Sequence, residues 1–508
     1  MKRKKYVLGV DLGTSSCKSI LIDETGQIIA DSSVGYPVYM PHANWVEQDP
    51  ADWEQAVTLS IRQVLNKSNI DTEQLVGMGL SGQMHGLVAL DIQGKVLRPA
   101  ILWNDQRSAE QCQRIVEMVG GKENLLKMIN NDMLPGYTAS KILWLAENEP
   151  YIFDKACMFL NPKDYIRYKL TGNFATDVSD ASGTGLFDVR RRCWNEKLLS
   201  ILGIQKEFLP KCFESTEITG YITNAASECT GLPKGLPVVA GGGDAVIQTT
   251  GTGLVQEGVL GIIIGTAGIV AMGLNSYKFN RRGALQIFCN NYPGTWHAMG
   301  VTLSAGASLE WLKNVLYEQN FSSNVYKDMD KLAADSPAGS NGLIFLPYLF
   351  GERCPYADPS ARGTFIGLTY KHQKSDIIRA VLEGVVFSLK QVAELITECS
   401  NVPISEVRTS GGGSKSELWR QIQADVFQLP VVTVSGGEHG GAFGAALIAG
   451  IGCGIWPDVF EAVKILKIET ETLPDKKNKE LYDSLFEVYK NLYLINKPAF
   501  NRLANLFG

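Results

Sequence analysis

Residues 7–14 read "VLGVDLGT" and residues 259–266 read "VLGIIIGT". The pairs Val7/Val259, Leu8/Leu260, Gly9/Gly261, Gly13/Gly265 and Thr14/Thr266 are identical. An apolar run that ends in Gly-Thr and leads at once into another apolar run predicts a strand, a tight turn and an antiparallel return. The first copy continues through a second strand over Ser19–Asp23, an "ETGQ" hairpin and a third strand. The second copy continues as "AGIVAMGLN". Two domains, each opening on the same hairpin, are the expected product of duplication. Asp11 breaks the match, because the second copy has Ile263 there.

A chain of 508 residues is too long for one core; roughly 100–200 residues per domain implies two to four units. Hydrophobic residues make up 45% and charged residues 20%, a globular balance. The net charge of −5 argues against nucleic acid or an anionic membrane as the main partner. Ten cysteines are scattered without a CxxC pair, so no zinc knuckle or thioredoxin motif is expected, and free thiols in a reducing cytoplasm are. The basic opening "MKRKK" precedes no apolar h-region. The longest uncharged apolar run, Val259–Leu274, is interrupted by glycines and falls short of the roughly 18–20 residues of a membrane helix.

Three stretches carry helical signals. Asp49 is the expected N-cap of "PADWEQAVTLSIRQVLNK", with Pro50 in the first turn and Trp53, Val57, Ile61 and Val64 on one face. Ser375–Ile396 and Ser416–Gln428 are the other two. Short strands are expected within 75–82, 236–244 and 341–349. Alternating strands and helices predict an α/β fold. The division expected is 1–247 for an N-terminal and 248–508 for a C-terminal domain.

The chemistry gathers at glycines and carboxylates. A strand ending in Gly-Thr points backbone N–H groups and a hydroxyl at one spot, which attracts phosphate; the same glycines also serve plain hairpin geometry. Gly13, Thr14 and Ser15 in one copy, and Gly265 and Thr266 in the other, are the nucleotide candidates, gripping a polyphosphate from two sides. The stretch "TSGGGSKS" (409–416) is not a Walker A loop, because Thr409 and Ser414 stand where glycines are required, and Ser416 spoils a GxGxxG match. Gly411, Gly412, Gly413 and Ser416 read either as an approach for adenosine or as a tight turn. Asp11 reads as a Mg²⁺ ligand beside phosphate or as a cap on the loop amides. Asp244, after three glycines, reads as a general base for a hydroxyl, with a share in the metal, or as a loop cap. Gln83, Met84 and His85 lie at the mouth of a strand between Gly82 and Gly86 and suit a polyhydroxylated ligand; a structural histidine is the alternative. Asn104 and Asp105, with Trp103 and Arg107, offer sugar contacts or a plain Asp105–Arg107 salt bridge.

Longer motifs carry a resemblance. "GYTASKILWLAEN" (136–148) holds a K-x-x-W core in Lys141 and Trp144, and "GTFIGLTYKHQKSDIIRAVLE" (363–383) a second signature. With these, from about residue 6 to about 450, the chain resembles the FGGY carbohydrate kinases, and "SGQMHG" with "ILWNDQR" resembles their xylulokinase branch. The resemblance implies two ribonuclease-H-like domains of the actin and hexokinase type flanking an ATP and sugar cleft. It implies ATP and Mg²⁺ as cofactors, Asp244 as the base, Asp11 as the N-terminal carboxylate, and Met84 and His85 at the sugar. The expected reaction is ATP-dependent phosphorylation of a ketopentose, D-xylulose at O5. Ala245 stands where many xylulokinases have Asn, so ribulose, L-xylulose or a polyol is the alternative acceptor; a non-catalytic actin-like sugar sensor is the reading from another class. The sequence leaves the oligomeric state open, a homodimer included.

Overall fold

The computed structural model of the chain describes residues 4–317 and 324–507; the first three residues of the basic opening fall outside them. Both copies of the repeat fold as read. Tyr6–Leu12 pairs antiparallel with Ser16–Asp23, which pairs antiparallel with Ile28–Gly35. On its other side Tyr6–Leu12 runs parallel to Leu75–Gly82, which neighbours Pro237–Val239 in parallel, and Ile218–Tyr221 closes that edge antiparallel. In the second sheet Val259–Ile264 pairs antiparallel with Gly268–Leu274 and parallel with Glu406–Ser410. Val431–Val434 follows in parallel, and Ile468–Thr472 closes that edge antiparallel.

The two sheets therefore share a sequence of pairings: hairpin, parallel neighbour, parallel neighbour, antiparallel edge. This fits the ribonuclease-H-like domains that the resemblance implies. Register agrees as well, since Asp11 lies opposite Ser81 and Ile263 opposite Ser410. The turns differ in length. Leu12 pairs with Cys17 across the first, and Ile264 with Gly268 across the tighter second.

The helices follow their local signals. Asp49 accepts the Ala51 N–H at 2.9 Å and caps Pro50–Ser68, whose Trp53, Val57, Ile61 and Val64 are buried. Lys374–Ser400 extends beyond the expected 375–396 at both ends. Gln373 and Asp376 form a capping box at its start, and Asn401 ends it in the left-handed region at φ 57°. Ser416 is not inside its helix but caps Glu417–Phe427, accepting the Trp419 N–H at 3.0 Å. The strand expected over 236–244 breaks in two, Pro237–Val239 and Gly242–Gly243. Gly241 between them sits at φ 69°, and a Cβ there would lie 2.0 Å from the Leu80 carbonyl oxygen. All ten cysteines are free, and no helix among the described residues is long and apolar enough to cross a membrane.

The chain forms two compact units, but they are not contiguous halves. The first contains the chain to Val255 together with Leu274–His297 and His439–Leu466; the second contains Gln256–Gly273, Ala298–Glu438 and the chain from Lys467 on. A cut at 247/248 would divide the helix Asp244–Gly251. The physical reason for the interleaving is the helix Gly440–Gly452. Its backbone lies directly on the first sheet: a Cβ on Gly9 would stand 2.0 Å from the Ala442 carbonyl oxygen, and one on Gly79 2.1 Å from that of Ala445. Glycines on the strands let helix and sheet approach to backbone contact.

Gly79→Ala should therefore lower the stability of the first unit by roughly 2–3 kcal/mol, because a methyl group has no space against rigid backbone. Urea unfolding would read this as a lower midpoint; an unchanged midpoint would mean that the helix does not press on the strand.

Candidate functional site

Asp11 and Asp244, the two candidate carboxylates, both lie in the first unit and interact electrostatically. Asp11 lies near the end of its strand and accepts the Ser81 hydroxyl at 2.6 Å from the parallel neighbour. Burial raises its pKa, opposed by the Ser81 bond and by Lys18 across the hairpin. Asp244 opens the helix Asp244–Gly251. Its Oδ1 accepts the Ala245 N–H at 2.7 Å, and its carboxylate also takes the Met84 N–H. Burial and then the negative charge of Asp11 push its pKa up to about 7, against these two amides. The two carboxylates thus feel each other, and both face a shortage of positive charge.

Met84 and His85 come to the same place. A Cβ on Gly243, the residue before Asp244, would lie 2.5 Å from Met84 Cγ, and one on Gly183 2.6 Å from His85 Cε1. His85 adopts the left-handed region at φ 68°, uncommon for a non-glycine residue. Its Nδ1 is 2.6 Å from the Gly183 carbonyl oxygen, which can only accept. Nδ1 therefore carries the proton in the neutral ring, and Nε2 presents a lone pair. The signature residue Lys141 is fully buried and donates to the backbone carbonyls of His85, at 2.8 Å, and Gly136, at 2.6 Å. Burial draws its pKa down to about 7. The K-x-x-W core is thus scaffold, fixing the carbonyl of a strained histidine.

The other candidates divide. Trp103 Nε1 donates to Thr14 Oγ1 at 2.9 Å, joining "ILWNDQR" to the first Gly-Thr turn. Gln48 Nε2 holds the Thr14 carbonyl at 2.7 Å, and Gln83 Nε2 donates to Gln48 Oε1 at 2.8 Å. Gln83 Oε1 and Asn104 Oδ1 are buried and take no hydrogen bond from a described residue, which suits hydroxyl donors from a ligand. Asp105 is a correction. It is fully buried, with its oxygens engaged by the Val46 N–H at 2.6 Å and by the Arg107 guanidinium at 2.7–3.0 Å. Arg107 in turn lies 3.8 Å over the Trp45 ring. The salt bridge is the reading that holds, because no face of Asp105 is left for a sugar.

In the second unit, the carbonyls of Gly265 and Thr266 accept amides at the start of the helix Gly306–Leu316: Gly306 on Gly265 at 2.8 Å, and Ala305 and Ala307 on Thr266 at 3.0 and 3.1 Å. Both loop residues are exposed. The triple glycine packs beside them. Gly411 sits at φ 82°, and a Cβ on it or on Gly413 would lie 2.7 Å from Ile264 O or 2.5 Å from Ile264 Cγ2; one on Gly412 would make ordinary contact with Ile264 O at 3.9 Å. The two nucleotide candidates of this unit thus share one wall at Ile264. The Ser416 hydroxyl accepts the Trp419 N–H as the helix cap and donates to the Asp330 carboxylate.

Sequence reasoning missed Ser81 and Gly441. Ser81 has a visible signal, since "LSG" at 80–82 answers "TSG" at 409–411 as the strand beside each repeat. Gly441 has none nearby: a Cβ there would lie 2.5 Å from Asp11 Oδ2, so the glycine leaves that oxygen room. Among the described residues no cluster of three or more His, Cys, Asp or Glu holds a metal by itself. Mg²⁺ ordinarily takes one or two carboxylates and completes its shell with phosphate and water. The uncrowded Asp11 oxygen and the mutual repulsion of Asp11 and Asp244 fit such an ion.

Residues 6–251 match the model of the FGGY family of carbohydrate kinases, N-terminal domain, and residues 260–453 that of its C-terminal domain. A xylulose kinase of Bacillus subtilis (strain 168) is 37% identical over 494 residues, covering 97% of both chains. The structure of a ligand-bound xylulose kinase from Lactobacillus acidophilus matches with a TM-score of 0.92 at 28% identity, covering 98% of this chain and 100% of that one. A gluconate kinase structure from the same organism gives 0.91 at 27% identity, covering 99% and 100%.

The raised pKa of Asp244 has a stability consequence with a definite sign. The folded state holds the proton more tightly than the unfolded chain, so stability falls as pH rises from about 4 to about 7 and then levels. Asp244→Asn should raise the melting midpoint by roughly 2–5 °C at pH 8, with the gain shrinking toward pH 5. Equal gains at both pH values in thermal melts would contradict the assignment.

Proposed function

Because the chain belongs to the FGGY family of carbohydrate kinases, we propose that it moves the terminal phosphoryl group of ATP to O5 of D-xylulose with Asp244 as general base. The observation that carries this reading is the seat of Asp244. It is buried beside Asp11, accepts two backbone amides, and follows Gly243, which packs on Met84. A base whose pKa stands near 7 is deprotonated in useful amount at neutral pH and still able to take a hydroxyl proton.

In the proposed step the sugar oxygen bonds to the γ-phosphorus of ATP as its proton passes to Asp244. The bond from the γ-phosphorus to the β,γ-bridging oxygen breaks, and ADP leaves with that oxygen. His85 Nε2, Gln83 Oε1 and Asn104 Oδ1 accept sugar hydroxyls and orient the acceptor. Thr14 and Ser15 of the first unit and Thr266 of the second supply amides and hydroxyls to the phosphates, while the Gly13 and Gly265 amides are kept within their own turns, donating to the Ser16 and Ala267 carbonyls at 3.1 Å each. Gly411–Gly413 give the adenosine a surface without side chains. Asp11, with Asp244, would hold the Mg²⁺ that accompanies ATP, and such an ion offsets phosphate charge.

Ala245 motivates a second reading with the same chemistry and another acceptor. Its methyl group replaces an Asn side chain able to touch substrate, which leaves ribulose, L-xylulose or a polyol in play. The near-equal likeness to a gluconate kinase structure adds gluconate. ADP release measured on D-xylulose, L-xylulose, ribulose, polyols and gluconate decides; a kcat/KM on another acceptor above that on D-xylulose would replace the first reading.

Asp244→Ala should lower kcat by roughly 10²–10⁴-fold with little change in sugar affinity; near-normal turnover would remove the base. His85→Ala should mainly raise the sugar KM, and an unchanged KM would make the ring structural. The kcat/KM of the unaltered enzyme should fall about tenfold per pH unit below about 7, as Asp244 takes its proton. A plateau reaching pH 5 would contradict that role.

A further inference from the structure

Beneath the catalytic loop lies a fully buried ionic cluster. Lys163 Nζ stands 2.5 Å from Asp164, 3.0 Å from Asp177 and 3.5 Å from Asp180, and Arg167 is 2.7 Å from Asp164. Charges buried so deeply are costly unless paired, and they contribute little net stability even when paired. This cluster reaches for one stretch of backbone. Arg167 and Lys163 both donate to the Ala240 carbonyl, and Ser179 Oγ takes the Gly243 N–H at 3.0 Å. Ala240–Gly243 is the stretch that ends on Asp244.

Ser179 is the closest of these groups to the chemistry. Its hydroxyl hydrogen goes to Asp177 Oδ2 at 2.5 Å, and Asn291 Nδ2 donates to its oxygen at 3.0 Å. With the Gly243 amide, the hydrogen and both lone pairs are all committed, so the hydroxyl has one orientation. The fit around it is tight, since a Cβ on Gly242 would lie 2.2 Å from Asn291 Nδ2 and 3.1 Å from Ser179 Oγ. Gly243 is the N-cap residue of the helix that Asp244 opens, and its φ of −63° and ψ of 140° aim that helix. Moving this amide moves the carboxylate.

We propose that Ser179 is a positioning residue for the transfer reaction: backed by Asp177, it fixes the Gly243 amide and thereby the direction of the Asp244 carboxylate. This rests on the reading of Asp244 as the base. Ser215 supplies a matched control. Its hydroxyl donates to the same Asp177 Oδ2 at 3.0 Å and accepts Asn291 Nδ2 at 3.1 Å; its link to the Ala240–Gly243 stretch is the Gly241 N–H on its backbone carbonyl at 2.9 Å, which Ser215→Ala keeps, whereas the link of Ser179 to Gly243 runs through the side chain and is lost in Ser179→Ala.

The test compares Ser179→Ala and Ser215→Ala in the full-length enzyme, with melting midpoints, sugar KM and kcat measured for each. Both variants loosen the buried cluster and should melt a few degrees low. Only Ser179→Ala should lose kcat, by roughly 10–100-fold, with sugar KM changed less than threefold, while Ser215→Ala stays within threefold of the parent in kcat. Equal kcat losses in the two, or none in Ser179→Ala, would overturn the proposal. Should Ser179→Ala not fold, Ser179→Cys keeps the volume with a poorer acceptor, and a kcat equal to the parent's would overturn it. Failure of the base itself is told apart by Asp244→Ala: if that variant stays active the reading of Asp244 falls, whereas an inactive Asp244→Ala beside a fully active Ser179→Ala refutes only the tether.

Discussion

The architecture of the first unit depends on how closely the helix Gly440–Gly452 approaches everything around it. On one side it meets Gly9 and Gly79 at backbone distance. On another it meets the helix Asp244–Gly251: a Cβ on Gly444 would lie 2.1 Å from the Ile247 carbonyl oxygen, and one on Gly251 2.2 Å from that of Gly440. The same helix leaves space at Gly441 for the Asp11 carboxylate. One element thus touches the strand that carries Asp11, the neighbouring strand that supplies Ser81, and the helix that Asp244 opens. Contacts between backbones have no rotamers to relax, so the placement of both carboxylates is stiff.

Duplication followed by specialisation explains the mismatch inside the repeat. Asp11 and Ile263 occupy the same strand position, each opposite a serine on the parallel neighbour. In the first unit that serine stabilises a carboxylate; in the second an apolar side chain needs no such partner. A buried carboxylate is costly, and a second one at the matching site would add charge without adding chemistry. The second unit instead keeps the turn, anchors its carbonyls on a helix start, and sets a side-chain-free glycine stretch against the same strand end.

Much of this was legible in the chain. Period-two runs, the Asp49 cap and the paired Gly-Thr turns were local signals, and local signals placed the hairpins and the long helices. Asp244 after three glycines was legible for the same reason: the glycines mark close backbone approach, and Gly241 and Gly242 do meet Leu80 and Asn291. What could not be read was long-range. Asp105 looks like a ligand in sequence and is consumed by Arg107 two residues on and by the Val46 amide. Lys141 belongs to a recognisable motif, but its bond to the His85 carbonyl depends on packing across 56 positions of chain. Nothing near Asp11 or Asp244 announces that residues 439–466 complete their unit.

That late completion has a consequence for biosynthesis. The ribosome releases the strand bearing Asp11 long before residue 452, which ends the helix that backs it. Through that interval the nascent first sheet shows water an apolar face made of Val7, Ile20 and Ile22, later covered by Ala442, Ala446 and their neighbours. The second unit's strands emerge in the meantime with the same hairpin pattern. Severing the chain between its two sequence halves would leave the amino-terminal piece without the helix that covers its first sheet.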